Sequence, residues 1–363
     1  MSRISNIRIK NFKTFNDLDV KSLNKRINFI YGKNGVGKTS LLEAVYLLLC
    51  YSYPRPDNIS YNLQILLHYQ FYLGNPFALV MPPFNDLWNT IFKNSEEKIE
   101  VAVDLEDGSQ LSLLISRGFN RDGNQEIVLK WDYTEKGSKK LQTQQCSIID
   151  NVNLINNVNL IRNPIGNILQ PKKIISKKLN FFYMPSMFLS NSSGVNIIYS
   201  DVINSGKKKE LVDKLRIVEQ DVEDIELVST GLQTVMVKRK NAFMPISQMG
   251  GGFLRIFYVM GVSITRENGI ILIDEIENGL HWSVQKKIFE YILRLSKDLN
   301  IQYFIATHSL EFVREAFKTL KNVDDIDSIS ATRINKKDND KIYPSLISGQ
   351  DLKEMLEEEM EFR

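Results

Sequence analysis

Gly32-Lys33-Asn34-Gly35-Val36-Gly37-Lys38-Thr39 is the stretch that decides the fold. It follows an apolar run, Ile27 to Tyr31, and precedes a segment with Leu41, Val45 and Leu48 on one helical face. A strand, a glycine-rich loop and a helix through about Tyr51 are therefore expected in that order. Glycines let the backbone curl so that successive N–H groups point inward, and the helix start adds partial positive charge. The stretch is a full Walker A match, a cradle for phosphates. Lys38 is expected to reach the β- and γ-phosphates of a nucleotide and the Thr39 hydroxyl to ligate Mg²⁺.

Three further motifs follow in the last third of the chain. Ile270-Ile271-Leu272-Ile273-Asp274-Glu275 reads as a strand buried on both faces that ends in two carboxylates, at the edge where such sheets bind ligands. Asp274 is expected to hold magnesium through water, and Glu275 to orient or deprotonate an attacking water. Ser247-Gln248-Met249-Gly250-Gly251-Gly252 stands just before a helix expected from about Phe253. An N-cap explains part of it, but three adjacent glycines exceed what a cap needs. A second phosphate-binding helix start, facing the γ-phosphate held by another subunit, explains the rest. Ala306-Thr307-His308-Ser309 follows the apolar Phe304-Ile305, which makes His308 a candidate γ-phosphate contact at a strand end.

Around these motifs the chain alternates. Ile4, Ile7 and Ile9 lead into an N-terminal strand pair. Residues 98–131 read as a three-stranded meander with a hairpin turn at Asp107-Gly108, and Ile127 and Leu129 mark its third strand. A proline- and asparagine-rich loop (Pro54, Pro56, Pro76, Pro82, Pro83) precedes it. From about 138 to 230 the sequence is Asn- and Lys-rich with a helix near 207–219, and Leu232 to Lys238 restores strand periodicity. A strand at 270–274, a helix at 281–297, a strand at 301–306 and a helix at 310–320 then imply a mostly parallel sheet flanked by helices.

The order Walker A, Ser-x-x-Gly-x-Gly, Ile-Asp-Glu and Thr-His-Ser resembles the ABC-type AAA-domain ATPases of the SMC/RecF/OLD group. The likeness is closest to their small stand-alone members in bacterial phage-defence and toxin–antitoxin-like operons. Ile9-Lys10-Asn11-Phe12-Lys13-Thr14-Phe15 looks like that group's opening strand motif, and Ile276-Glu277-Asn278-Gly279-Leu280-His281 like its D-loop. The resemblance runs through nearly the whole chain, including Glu361-Phe362-Arg363. It implies an α/β, ABC-type P-loop domain: a mostly parallel sheet with flanking helices, an antiparallel β-subdomain and a helical signature lobe. The single split domain spans 1–363. Lobe I would be 1–137, a helical or irregular insertion 138–230, and the signature, Walker B, D-loop and His-switch 231–363.

The resemblance also implies ATP and Mg²⁺ as cofactors. Gly32, Asn34, Gly35, Val36, Gly37, Lys38, Thr39, Ser40 and Lys13 would hold the nucleotide, Thr39 and Asp274 the metal, and Lys38, Glu275 and His308 would act catalytically. Ser247, Gly250 and Gly252 would cap the nucleotide of a second copy in a head-to-tail homodimer, with higher oligomers open. A dimeric ATP-dependent switch controlling a separately encoded nuclease or toxin follows. A nucleotide-stabilised scaffold and a RecF-like DNA-repair ATPase are the alternatives. The signature departs from Leu-Ser-Gly-Gly-Gln, with Gly251 where an acidic residue often stands. Gln64, Gln70 and Gln110 all remain candidates for the Q-loop. Without sustained heptads, SMC-like coiled-coil arms are absent.

Composition narrows the rest. The chain has 363 residues, 43% apolar and 25% charged, with net charge +3, as a globular protein has and a bulk-basic nucleic-acid binder does not. Lys207-Lys208-Lys209 and Lys238-Arg239-Lys240 leave DNA as a partner to be tested. Cys50 and Cys146 lie too far apart in sequence to suggest a metal-ligand pair, the opening residues form no leader-like apolar run, and Leu41–Cys50 is too short to span a bilayer. The expectation is a soluble, cytoplasmic protein with no membrane partner. Asp338-Asn339-Asp340 mimics a nuclease metal motif but reads as a turn. Phe181, Phe182, Tyr183 and Phe188 belong either to the core or to a partner interface.

Overall fold

The computed structural model describes residues 3–52, 98–121, 123, 125–149, 174–186, 192–216, 219–229, 233–240, 242–337 and 341–358. The proline-rich loop, Gln64, Gln70, Phe188, Leu232, Asp338-Asn339-Asp340 and Glu361-Phe362-Arg363 lie outside the described residues. The chain divides into two compact units, Met1–Leu23, Asn34–Leu179 and Ile334–Leu346 in the first, Asn24–Lys33, Asn180–Arg333 and Ile347–Arg363 in the second.

The first unit is built on an antiparallel sheet in the order β2-β1-β4-β5-β6-β7. Its strands are β1 (Ile4–Phe12), β2 (Phe15–Val20), β4 (Ile99–Leu105), β5 (Gln110–Phe119), β6 (Gln125–Thr134) and β7 (Leu141–Ile149). The period-2 pattern that predicted the meander sets its register: Val101 opposes Leu113 and Val103 opposes Leu111, all buried. Helix α1 (Lys38–Leu49) packs on this face, and the buried Trp131 indole donates to the Leu47 carbonyl at 3.4 Å. On the other face Arg8 grips Asp104 with two 2.7 Å bonds, which hold that carboxyl below the usual carboxylate range.

The meander has four strands, not three. β7 lies in the segment read as helical or irregular because its run Gln-Thr-Gln-Gln shows no hydropathy alternation. Amide chemistry replaces it: the buried Gln144 donates to the Tyr51 carbonyl at 3.3 Å and accepts the Ile175 N–H at 3.3 Å.

The second unit holds β3 (Ile27–Tyr31), β8 (Phe181–Met184), β12 (Ile270–Asp274), β13 (Gln302–Ala306) and the first five residues of β14 (Ile329–Lys336), in a sheet ordered β15-β14-β3-β13-β12-β8 whose edge strand is β15 (Ile342–Ser348). The pairs β14–β3, β3–β13, β13–β12 and β12–β8 are parallel. β3, β12 and β13 are buried along their whole length, which is why they read as continuous apolar runs. β8 answers the question left by Phe181, Phe182 and Tyr183: they form a strand of this sheet.

Helices α5 (Trp282–Asp298) and α6 (Leu310–Phe317) flank the sheet, and Phe289 stacks on Phe29 with ring centroids 5.6 Å apart. Such a pair adds about 1 kcal/mol beyond the area it buries. Helix α4 (Gly251–Thr265) is packed by α2 (Ser192–Asn204) and α3 (Lys208–Leu215), beside a small antiparallel sheet of β9 (Val222–Ser229), β10 (Gln233–Arg239) and β11 (Ala242–Pro245). Among the described residues no helix is long and apolar enough to cross a membrane.

Candidate functional site

In the first unit, α1 opens at Gly37, whose φ of 102° lies in the left-handed region and which offers no side-chain cap. A Cβ there would fall 2.5 Å from Thr14 Oγ1 and 2.7 Å from the Phe15 ring. Glycine is thus required both by the turn and by the N-terminal strand pair against it. Val36 and Ser40 are buried and Asn34 and Gly35 exposed, so Val36 anchors the loop and the glycine stretch faces outward. Lys13, assigned to the nucleotide by resemblance, meets Glu43 of α1 at 2.5 Å with both side chains largely buried. Burial pushes the Glu43 carboxyl up and the Lys13 charge opposes that shift. Gln110 donates to Asp104 at 2.9 Å within the antiparallel sheet.

In the second unit the C-terminal ends of β3, β13 and β12 lie side by side. Ile30 pairs with Ala306, and Ala306 with Asp274. Gly32-Lys33, Thr307-His308 and Asp274-Glu275 therefore share one edge of a parallel sheet, where ligands of such folds bind. Asp274 is 2% exposed and ends β12. Glu275 turns the chain with φ 49°, an uncommon value for a residue with a Cβ, and its N–H donates to the Ala306 carbonyl at 3.0 Å. His308 is 46% exposed at the side chain, and both its N–H and Nδ1 meet Glu277 Oε1, at 3.0 and 3.1 Å.

The signature stretch divides differently from its sequence reading. Ile246–Met249 is a short 3₁₀ turn that carries the exposed Ser247, so Ser247 does not cap α4. Gly250 does, without any side-chain bond. Among the described residues a Cβ on Gly250 or Gly251 would meet nothing within 4 Å, whereas one on Gly252 would lie 2.9 Å from the Gly279 carbonyl oxygen. Gly252 is thereby explained by contact with the D-loop.

Arg255 escaped the sequence reading, and Asn278 and Glu277 were read only as part of the D-loop, with no role of their own. Arg255 of α4 is fully buried and donates through Nη2 to the carbonyls of Asp274, at 3.3 Å, and Glu275. Asn278 donates to the Glu275 carboxylate. Glu277 holds His308. The only sequence cue for Arg255 was a lone cation in an otherwise apolar helix.

The residues present fit a magnesium nucleotide. Two long helices begin at glycines that carry no capping side chain, which suits phosphate oxygens. Among the described residues no three His, Cys, Asp or Glu groups are placed to hold a metal by themselves. One or two protein oxygens plus phosphates is how Mg²⁺ is ordinarily held, and Thr39 and Asp274 are of that chemistry. The basic runs are largely neutralised in place. Lys207 pairs with Glu210, Lys208 with Asp224, Lys238 with Glu223, and Arg239 with Glu219 and Asp221.

A glycine loop leading from a parallel strand, paired carboxylates on the second strand over and a histidine on the strand between them define an ABC-type P-loop ATPase. The chain belongs to the family described as "AAA domain, putative AbiEii toxin, Type IV TA system", which matches residues 27–314. It is 25% identical, over 98% of both chains, to a protein of Helicobacter pylori described as an ATP/GTP phosphatase. A segment of 45 residues, 12% of each chain, is 47% identical to the DNA replication and repair protein RecF of Chlamydia abortus. Among solved structures, an SmcHead bound to the C-winged helix domain of ScpA matches over 95% of this chain and 97% of that one, with 13% identity and a TM-score of 0.51. The protein is an AAA-domain ATPase with the fold of an SMC head.

Proposed function

We propose that the chain is a slow ATP-hydrolysing switch that works as a dimer and controls a separately encoded nuclease or toxin. The observation that carries the ATP chemistry is the shared edge of the second unit, where Asp274-Glu275, Thr307-His308 and the first residues of the glycine loop stand on adjacent parallel strands. In this reading the backbone from Gly32 to Ser40 and the Lys38 ammonium hold the phosphates. Thr39 and Asp274 hold Mg²⁺, which would neutralise phosphate charge. Glu275 orients the attacking water, and Asn278 keeps that carboxylate in place until the nucleotide arrives. His308 contacts the terminal phosphate. Ser247, Gly250 and Gly252 at the start of α4 approach the nucleotide of a second copy. In this reading the chain is one split ABC-type domain.

The effector rests on the family's toxin–antitoxin description. A DNA-repair role has less support, because the lysine runs that would meet DNA phosphates already have carboxylate partners.

Two variants test the reading. Lys38→Ala should weaken binding of a fluorescent ATP analogue about 100-fold or more. Glu275→Gln should keep binding, lower turnover about 100-fold, and accumulate as an ATP-bound dimer in light scattering. A host phenotype lost in Lys38→Ala and fully kept in Glu275→Gln would mean a scaffold instead of a cycling switch. Wild-type protein that neither binds nor hydrolyses ATP would refute both.

A further inference from the structure

Glu277 lies in the loop between β12 and α5, with its side chain 7% exposed. Burying a carboxylate costs free energy unless its oxygens find donors. Oε1 accepts the His308 N–H at 3.0 Å and meets its Nδ1 at 3.1 Å, while Oε2 is buried with no hydrogen-bond partner among the described residues. A packing role at this position would be met by an apolar side chain. A helix-capping role is already filled, because the Ser309 hydroxyl accepts the Phe312 N–H at 3.0 Å and caps α6.

We infer that Glu277 is a positioning residue for His308, fixing the proton on Nδ1 and presenting Nε2 to the terminal phosphate of the nucleotide. This rests on the phosphate-contacting role given to His308 above. An ionised carboxylate can only accept, so Nδ1 must be the donor, and Nε2 is the nitrogen left for a ligand. With a proton on each nitrogen, the ring donates to a phosphate oxygen through Nε2 while the Glu277 carboxylate balances the imidazolium charge. The second bond, to the His308 main chain, stops the ring and its backbone from shifting independently. Carboxylates that orient metal-bound imidazoles act in the same way.

Nitrogen-15 NMR of the imidazoles in the full-length protein reads the tautomer directly. There are three histidines, His68, His281 and His308, and loss of one signal set in His308→Ala assigns the third. At a pH where the ring is neutral, wild-type protein should show Nδ1–H. Glu277→Gln keeps an acceptor of the same shape and should retain that tautomer, and Glu277→Ala should move toward Nε2–H.

In kinetics, Glu277→Ala should lower kcat about 10–100-fold, with ATP affinity changed by no more than about twofold, and Glu277→Gln should recover part of the loss. The double variant Glu277→Ala/His308→Ala should be no slower than His308→Ala alone. An Nε2–H tautomer in wild-type protein, or additive losses in the double variant, would overturn the inference. If His308→Ala itself leaves kcat intact, the phosphate-contacting role of His308 fails, and the tautomer measurement still decides what Glu277 does. Should Glu277→Ala not fold, the wild-type tautomer and the Glu277→Gln rate decide the question together.

Discussion

Helices α1 and α4 both begin at a glycine with positive φ and no capping side chain, yet their surroundings are opposite. At α1 the chain closes on itself: Thr14 and Phe15 stand within 3 Å of where a Cβ on Gly37 would be. At α4 the first two glycines face nothing among the described residues, and the third, Gly252, is pressed against Gly279. A glycine demanded by its own chain is an element of folding. A glycine such as Gly251, which neither its backbone angle nor a described neighbour demands, at a bare helix start, is the kind of surface another molecule completes. The same residue type thus carries different information at the two helix starts, and sequence spacing alone does not separate them.

Substitutions along the two starts sharpen or break that contrast. Gly37→Ala should do most harm, because a left-handed φ and contacts with Thr14 and Phe15 act together. We expect about 3–4 kcal/mol of destabilisation, read by urea melts. Gly252→Ala should cost less, about 1–2 kcal/mol, since crowding of the Gly279 carbonyl is partly offset by alanine's helix propensity. Gly251→Ala should change stability by no more than about 0.5 kcal/mol. Its larger relative, Gly251→Leu, should leave the monomer's melting temperature in place and yet lower ATPase activity and nucleotide-dependent dimerisation. Equal stability losses at Gly37 and Gly251 would erase the distinction.

The strands that carry the chemistry were legible because burial on both faces writes itself as predominantly apolar runs. Ile27–Tyr31 and Ile270–Asp274 are found at the expected residues. β7 was hidden because its inward residues are amides whose partners are main-chain groups. Arg255 was hidden for a related reason: its acceptors are carbonyls, which every residue has. Glu277 stood in plain view as part of a motif, but its burial and its bond to His308 depend on two strands meeting, and no local pattern encodes that. Lys13 is a similar case: resemblance assigns it to the nucleotide, and its pairing with Glu43, thirty residues on, is likewise absent from any local pattern.

Arg255 has a practical consequence. It grips Asp274 and Glu275 by their carbonyl oxygens. Exchange of either acid for its amide therefore leaves that clamp in place. Glu275→Gln should therefore act as a snapshot of the loaded protein, suited to trapping whatever binds it in a cell, because the main-chain clamp beneath it does not depend on the carboxylate.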